Sequence, residues 1–282
     1  MKKHMLAVGQ VNRLTILRGT SVGFYLGNEE GEDVLLPHKY IPEEAQIGDE
    51  IDVFIYRDSE DRIIATNLRP QVALHEMGCL EVTHVSSFGA FLDWGLEKDL
   101  FVPFREQNQK LRAGDWAIVY VYLDEKTDRL VGTCKIQKHL HPADAHLQEG
   151  QEVSLLIYER TDLGYKAVIN HRYGGLLYHN EIFRRVAWGD TLPGYIKAIR
   201  EDGKIDLVLD RPGVNRLGTD AERIWNHLQQ AGGRLPFSDS SDPIDIQTQF
   251  EMSKKAFKRA IGTLYREQKI DILPDQIQIR TT

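Results

Sequence analysis

Cysteine is nearly absent: Cys79 and Cys134 are the only two in 282 residues, and neither sits in a Cys-x-x-Cys pair. That excludes a disulfide framework and a zinc-finger spacing, and leaves reduced, buried thiols as the expectation. No run approaches the ~20 apolar residues that span a bilayer. The longest, Ala117-Ile118-Val119-Tyr120-Val121-Tyr122-Leu123, has the length of a strand. Lys2 and Lys3 make the N-terminus basic, but the apolar stretch behind them is too short for a secretory segment, so a cytoplasmic chain with no membrane partner is expected. Positive charge is also scarce. Lys and Arg number 35 against 42 Asp and Glu, a net charge of −7, which counts against nucleic-acid binding through bulk electrostatics. By segment, residues 1–70 carry 8 basic and 12 acidic side chains, 71–140 carry 8 and 10, 141–214 carry 9 and 11, and 215–282 carry 10 and 9. Only the last has a basic excess.

Chemistry-bearing motifs are missing as well. There is no Gly-rich phosphate loop and no Gly-x-Ser-x-Gly elbow, and Asp93 and Asp99 have no nucleophile or orienting base beside them in sequence. His139, His141 and His146 lie together without a cysteine or a carboxylate at ligand spacing, so they read as a linker. No enzyme, cofactor or metal is expected.

What is present is ordinary globular composition, 41% apolar and 27% charged, in a chain long enough for two to four cores. An internal repeat favours four. Ile47-Gly48-Asp49-Glu50-Ile51-Asp52-Val53-Phe54-Ile55-Tyr56 returns 66 residues later as Ala113-Gly114-Asp115-Trp116-Ala117-Ile118-Val119-Tyr120-Val121-Tyr122. Gly23 and Gly89, Pro37 and Pro103, and Asp61–Thr66 and Asp128–Thr133 keep nearly that offset. A more diverged copy follows with Gly164, Tyr178, Gly189-Asp190 and Gly203–Leu209. Each unit alternates short Val/Ile/Phe/Tyr runs with Gly-Asp turns, which predicts about five antiparallel strands. So few strands bury a core only by closing, so a small barrel of the oligonucleotide-binding kind is expected, with Gly89 read as a bend in mid-strand. The expected class is mainly β: three tandem five-stranded barrels at 1–70, 71–140 and 141–214, followed by an α+β winged-helix domain at 215–282.

From Thr219 the apolar period changes from two to 3.6. Thr219-Asp220-Ala221-Glu222 fits a capping box for a first helix carrying Ile224, Trp225 and Leu228, stopped at Gly232-Gly233. Asp242-Pro243 opens a second helix through Phe250. Ser253 caps a third, with Phe257, Ala260, Ile261 and Leu264 as the buried stripe and Lys255, Lys258, Arg259 and Arg266 outside it. Ile270-Asp271-Ile272 and Ile277-Gln278-Ile279 complete a wing. Glu251–Lys269 holds six cations against two anions, so the third helix is the candidate phosphate-binding face, for RNA or, as the alternative, DNA.

Val85-Ser86-Ser87-Phe88-Gly89-Ala90-Phe91-Leu92-Asp93 and Leu100-Phe101-Val102-Pro103-Phe104-Arg105-Glu106 resemble the S-one RNA-binding repeat, named for the largest small-subunit ribosomal protein. Three such repeats and a winged helix resemble the conserved virulence factor B family of bacterial RNA-binding regulators. The resemblance implies a platform of exposed aromatics for unpaired bases with a cation on the last strand, because rings stack on bases and cations hold phosphates. In the second repeat it implies Phe88, Phe91 and Arg129, with Phe101 and Phe104 near Pro103, which stands at the family's histidine position. In the first it implies Tyr25 and Arg62, with Val22 for Phe88. In the third it implies Tyr178 and Lys204, with His179 adjacent, Leu163 for Phe88 and Lys166 for Phe91. Against these stands the plainer reading that aromatics in barrel strands are core and that Arg62, Arg129 and Lys204 are solvated turn charges. The expected function is a monomeric, non-enzymatic, single-stranded RNA-binding regulator. The rival is a protein-interaction scaffold with degenerate repeats.

Overall fold

The protein is described here from a computed structural model covering residues 6–28, 31–211 and 217–280, with the side chains of 217–219 outside it. Three closed five-stranded barrels follow one another. The first comprises β1 (Val11–Thr20), β2 (Gly23–Gly27), β3 (Asp33–Pro37), β4 (Glu50–Arg57) and β5 (Ile63–Thr66), ordered β1-β2-β3-β5-β4 with β4 returning to β1. The second uses β6 (Met77–Val85), β7 (Gly89–Asp93), β8 (Leu100–Pro103), β9 (Trp116–Asp124) and β10 (Arg129–Thr133) in the same order. The third uses β11 (Glu152–Arg160), β12 (Gly164–Ile169), β13 (Tyr173–Tyr178), β14 (Thr191–Ile199) and β15 (Ile205–Val208). In each, the third and fifth strands pair in parallel, which closes the sheet and removes its open edge.

The repeat landmarks acquire physical reasons. Gly23, Gly89 and Gly164 pair with Pro37, Pro103 and Tyr178, and a methyl group on any of them would overlap the backbone carbonyl of Leu36, Val102 or Leu177. Gly89 therefore opens β7 and is not a mid-strand bend. The irregularity that curves each barrel lies one strand earlier, a bulge between Ile16 and Arg18, Val82 and His84, and Ile157 and Glu159. The Gly-Asp landmarks serve a turn: Gly48, Gly114 and Gly189 all have positive φ, near 98°, 84° and 86°.

Burial alternates along the strands, and each barrel fills with aliphatic side chains such as Leu26, Leu36 and Ile55 in the first and Leu92, Val102 and Val119 in the second. The barrels are not beads on a string. Phe54, Tyr56 and Ile64 of the first barrel share a core with Trp94, Leu100 and Val121 of the second, and the Phe54 and Trp94 rings meet edge to face at 6.0 Å. Met77, Ile118 and Ile136 likewise pack with Leu156 and Val168 across the next junction. Cys134 is buried and Cys79 half-buried, and burial pushes both thiols up to about 11, so both are poor nucleophiles.

The C-terminal domain has α1 (Leu217–Gln230), β16 (Arg234–Leu235), α2 (Pro243–Phe250), α3 (Lys254–Arg266), β17 (Ile270–Ile272) and β18 (Ile277–Ile279), the sheet running β16-β18-β17. Asp242 caps α2 by accepting from the Ile244 amide, and Ser253 caps α3 by accepting from the Ala256 amide. Phe257, Ala260, Ile261 and Leu264 are buried as their spacing requires. One start is corrected: α1 begins at Leu217, so Thr219 lies inside the helix, not at its cap. The short strand β16, absent from the sequence reading, makes the wing three-stranded.

Candidate nucleic-acid interface

The equivalent position on each barrel wall carries a different chemistry. Just past the bulge, the first strand presents one side chain opposite one on the second: Arg18 and Tyr25, His84 and Phe91, Glu159 and Lys166. In the first barrel the Arg18 guanidinium lies 4.1 Å over the Tyr25 ring and also pairs with Asp33 at 2.6 Å. In the third the pair is ionic, Lys166 Nζ to Glu159 at 2.9 Å. In the second it is aromatic: His84 stacks on Phe91 with ring centres 4.4 Å apart and planes 5° apart.

The stack continues in the second barrel alone. Phe91 pairs with Phe101 on β8, ring centres 5.1 Å apart, whereas Tyr25 and Lys166 face Leu35 and Leu176. Phe88, at the turn into β7, is 76% exposed, and a turn closed by the Ser86 amide donating to Gly89 O at 2.9 Å holds it out. Its counterparts Val22 and Leu163 are 55% and 64% exposed but carry no ring. Four rings thus form one surface, of which the sequence reading identified three. His84 lies on the strand before the motif, and only the bulge register brings it onto Phe91; Thr83 Oγ1 and Asp99 Oδ2, at 3.1 and 3.7 Å from its Nδ1, help to hold it there. Phe104 is exposed past Pro103.

Beside the rings opens a cleft of about 440 Å3 that also meets Arg57, Lys98 and Arg129. These cations belong to the junction of the first two barrels. Arg129 makes a two-point ion pair with Asp61 of the first barrel, 2.9 and 2.7 Å, Arg57 donates to Asp128 O at 2.9 Å, and Lys98 Nζ donates to Asp58 O at 2.7 Å. The hydrogen bond from Arg129 holds the Asp61 carboxyl below the usual carboxylate range, while burial lowers the Lys98 ammonium. The platform cations are therefore present but engaged, Arg129 by a carboxylate and Arg57 and Lys98 by backbone carbonyls.

In the first and third barrels the expected contacts are more fully occupied. Arg62 forms ion pairs with Asp58 at 2.7 Å and Glu60 at 2.9 Å, and Lys204 with Asp202 at 2.6 Å. Tyr178 bonds to Arg200, itself paired with Asp206, and His179 Nε2 lies 2.9 Å from Thr161 O, its ring edge-on to Tyr165. On α3, Lys255 and Arg259 are exposed with no carboxylate partner among the described residues, Arg266 donates to Gly262 O at 3.2 Å, and Lys258 stands 3.8 Å from Asp239. His139, set aside as linker, stacks on Tyr120 at 4.0 Å.

The S1 domain family profile, that of the S-one repeat, matches residues 8–68 and 76–135, and the CvfB-like winged helix domain profile matches 222–279. The uncharacterized protein YitL of Bacillus subtilis is 28% identical over 278 residues, covering 95% of this chain and 92% of that one. Conserved virulence factor B of Staphylococcus epidermidis is 26% identical over 282 residues, covering 96% and 94%. A solved multidomain protein with nucleic acid binding domains, from Streptococcus pneumoniae, aligns over 97% of this chain at 23% identity with a TM-score of 0.43. Fold and matched domains define a nucleic-acid-binding class, tandem S1 barrels with a C-terminal winged helix, whose domains are of non-catalytic kinds. Within that class, the chain belongs to the conserved virulence factor B family. Among the described residues, no helix is long and apolar enough to cross a membrane.

Proposed function

We propose that this protein is a cytoplasmic, monomeric, non-enzymatic regulator that binds single-stranded RNA and acts on gene expression after transcription. The observation carrying the reading is the four-ring surface of the second barrel, Phe88, Phe91, Phe101 and His84, beside Arg129 and Lys98. His84 and Phe88 are exposed and Phe91 and Phe101 half-buried beneath them; an open ring face accepts any base at ~1–3 kcal/mol per stacked base, and the neighbouring cations take phosphate. The α3 cations Lys255, Lys258, Arg259 and Arg266 supply a second contact, to RNA or to DNA. Tethering weak sites on one chain raises their effective concentration, which offsets the acidic net charge. The working domain limits are 1–70, 71–140, 141–214 and 215–282. The test is equilibrium binding of a labelled single-stranded RNA: Phe88→Ala with Phe91→Ala should weaken it at least about fivefold, the effect of ~1 kcal/mol of lost stacking. Unchanged affinity would refute the platform assignment.

A second reading applies to the first and third barrels. There, the Phe88 position carries no ring, Arg18 covers Tyr25 in the first and an ion pair takes the Phe91 position in the third, which favours a scaffold or protein-contact role for those two.

A further inference from the structure

A second aromatic cleft, of about 570 Å3, lies where the second and third barrels meet, and its lining shares no residue with that of the platform cleft. Trp116, the first residue of β9, and Trp188, in the loop before β14, both line it and remain 54% and 46% exposed. Tyr158 of β11 completes the ring-bearing wall. The other two tryptophans are placed differently: Trp94 is buried in the core shared by the first two barrels, and Trp225 packs half-buried against the winged-helix core. Leaving two indoles in water forgoes favourable burial, so their presence in one cleft asks for an occupant.

The charge around the rings says which. Lys135 and Lys138 line the cleft; the Lys135 ammonium is held by the Arg105 carbonyl, and Lys138 is exposed with no carboxylate partner among the described residues. Lys110 and Arg112, next in the chain to the lining residues Gln109 and Leu111, are likewise exposed and without a carboxylate side-chain partner among the described residues. The one carboxylate on the wall, Glu159, is neutralised by Lys166 at 2.9 Å. Asp115 precedes Trp116 and Glu81 lies across the sheet from it, but the four cations still outnumber these carboxylates, in a chain of net charge −7. An anionic ligand with flat faces satisfies both features.

We propose that this cleft is a second binding site for single-stranded nucleic acid, in which a base stacks on Trp116 or Trp188 and phosphates lie against Lys135 and Lys138. The proposal rests on the reading that the chain binds such strands. Because the two indoles come from different barrels, one strand there bridges the second and third barrels.

The experiment uses the full chain labelled with 5-fluorotryptophan, whose four fluorine resonances are assigned by Trp→Phe variants one at a time. The probe is an oligouridylate of about six nucleotides, within the ~4–16-nucleotide footprint of one such barrel. The Trp116 and Trp188 resonances should shift saturably, the shift should persist in Phe88→Ala/Phe91→Ala, and Lys138→Glu should weaken it several-fold. Binding seen by anisotropy with both resonances unmoved, or movement that vanishes with the platform rings, would overturn the cleft site alone. Absence of binding by both readouts would overturn the RNA reading with it. Resonances that answer to an acidic peptide but not to oligouridylate would assign the cleft to a protein partner and overturn the proposal.

Discussion

Asp61→Asn is the perturbation that separates a platform cation from a structural one. Asp61 holds both arms of the Arg129 guanidinium, and Arg129 lines the cleft beside Phe88 and Phe101. RNA phosphate must compete with that carboxylate. Asn suits the site, because Asp61 sits at φ 69°, a left-handed conformation that Asn adopts readily, and its amide oxygen still accepts from Arg129. The seam geometry should therefore survive while the charge competition ends. Each phosphate neutralised on a single strand contributes about −0.7 to the slope of log affinity against log salt. One freed guanidinium should steepen that slope by about 0.7 and raise affinity at low salt. The assay is fluorescence anisotropy of a labelled single-stranded RNA over a salt series, with Glu50→Gln as control, since it removes the same charge from an exposed pair with Arg13 outside the cleft. Equal slopes in the two variants, or weaker binding by Asp61→Asn, would show that Asp61 does not compete with phosphate for Arg129.

Two further outcomes are expected. Gly89→Ala places a methyl against the Val102 carbonyl, 2.8 Å from Phe101 Cε2 and 2.9 Å from Pro103 Cα, so β7 and β8 must part; overpacking of this kind costs ~1–3 kcal/mol, and chemical denaturation should show the second barrel unfolding earlier with RNA binding reduced. The junction of the first two barrels should loosen in acid. Asp61 is lowered by the hydrogen bond from Arg129 and Glu97 by that from Lys39; at Asp58 burial acts to raise the value, but hydrogen bonds from Arg62 and neighbouring amides outweigh it. Carboxyls depressed in the folded state contribute stability above their unfolded values, near 4, that is lost as pH falls through the folded ones. Limited proteolysis at the 67–76 connection should thus accelerate below about pH 4 and stay flat from pH 5 to 8.

The barrels were legible because their constraints are local. A Gly-Asp turn with positive φ and a glycine beneath a neighbouring carbonyl leave the same residues at the same spacing in each copy. The α3 stripe and its Ser253 cap were legible for the same reason. His84 was not, because nothing at its own position signals a platform; a bulge moves it by one residue relative to Phe91. The neutralisation of Arg129 was hidden too, since its partner lies on another barrel and is brought near only when Phe54 and Trp94 pack. Charge counted along the chain ranked all three barrels alike; the missing rings at Val22, Leu163 and Lys166 already set the second apart, and the cross-strand pairs show what replaces them.

Photo-crosslinking of the full chain to 4-thiouridine-labelled single-stranded RNA, with the modified peptides mapped by mass spectrometry, reads directly which barrel the strand touches. Crosslinks should concentrate at residues 84–104 of the second barrel, on His84, Phe88, Phe91 and Phe101. RNA that crosslinks only to the winged helix, or to the first and third barrels while sparing the second, would contradict the platform assignment.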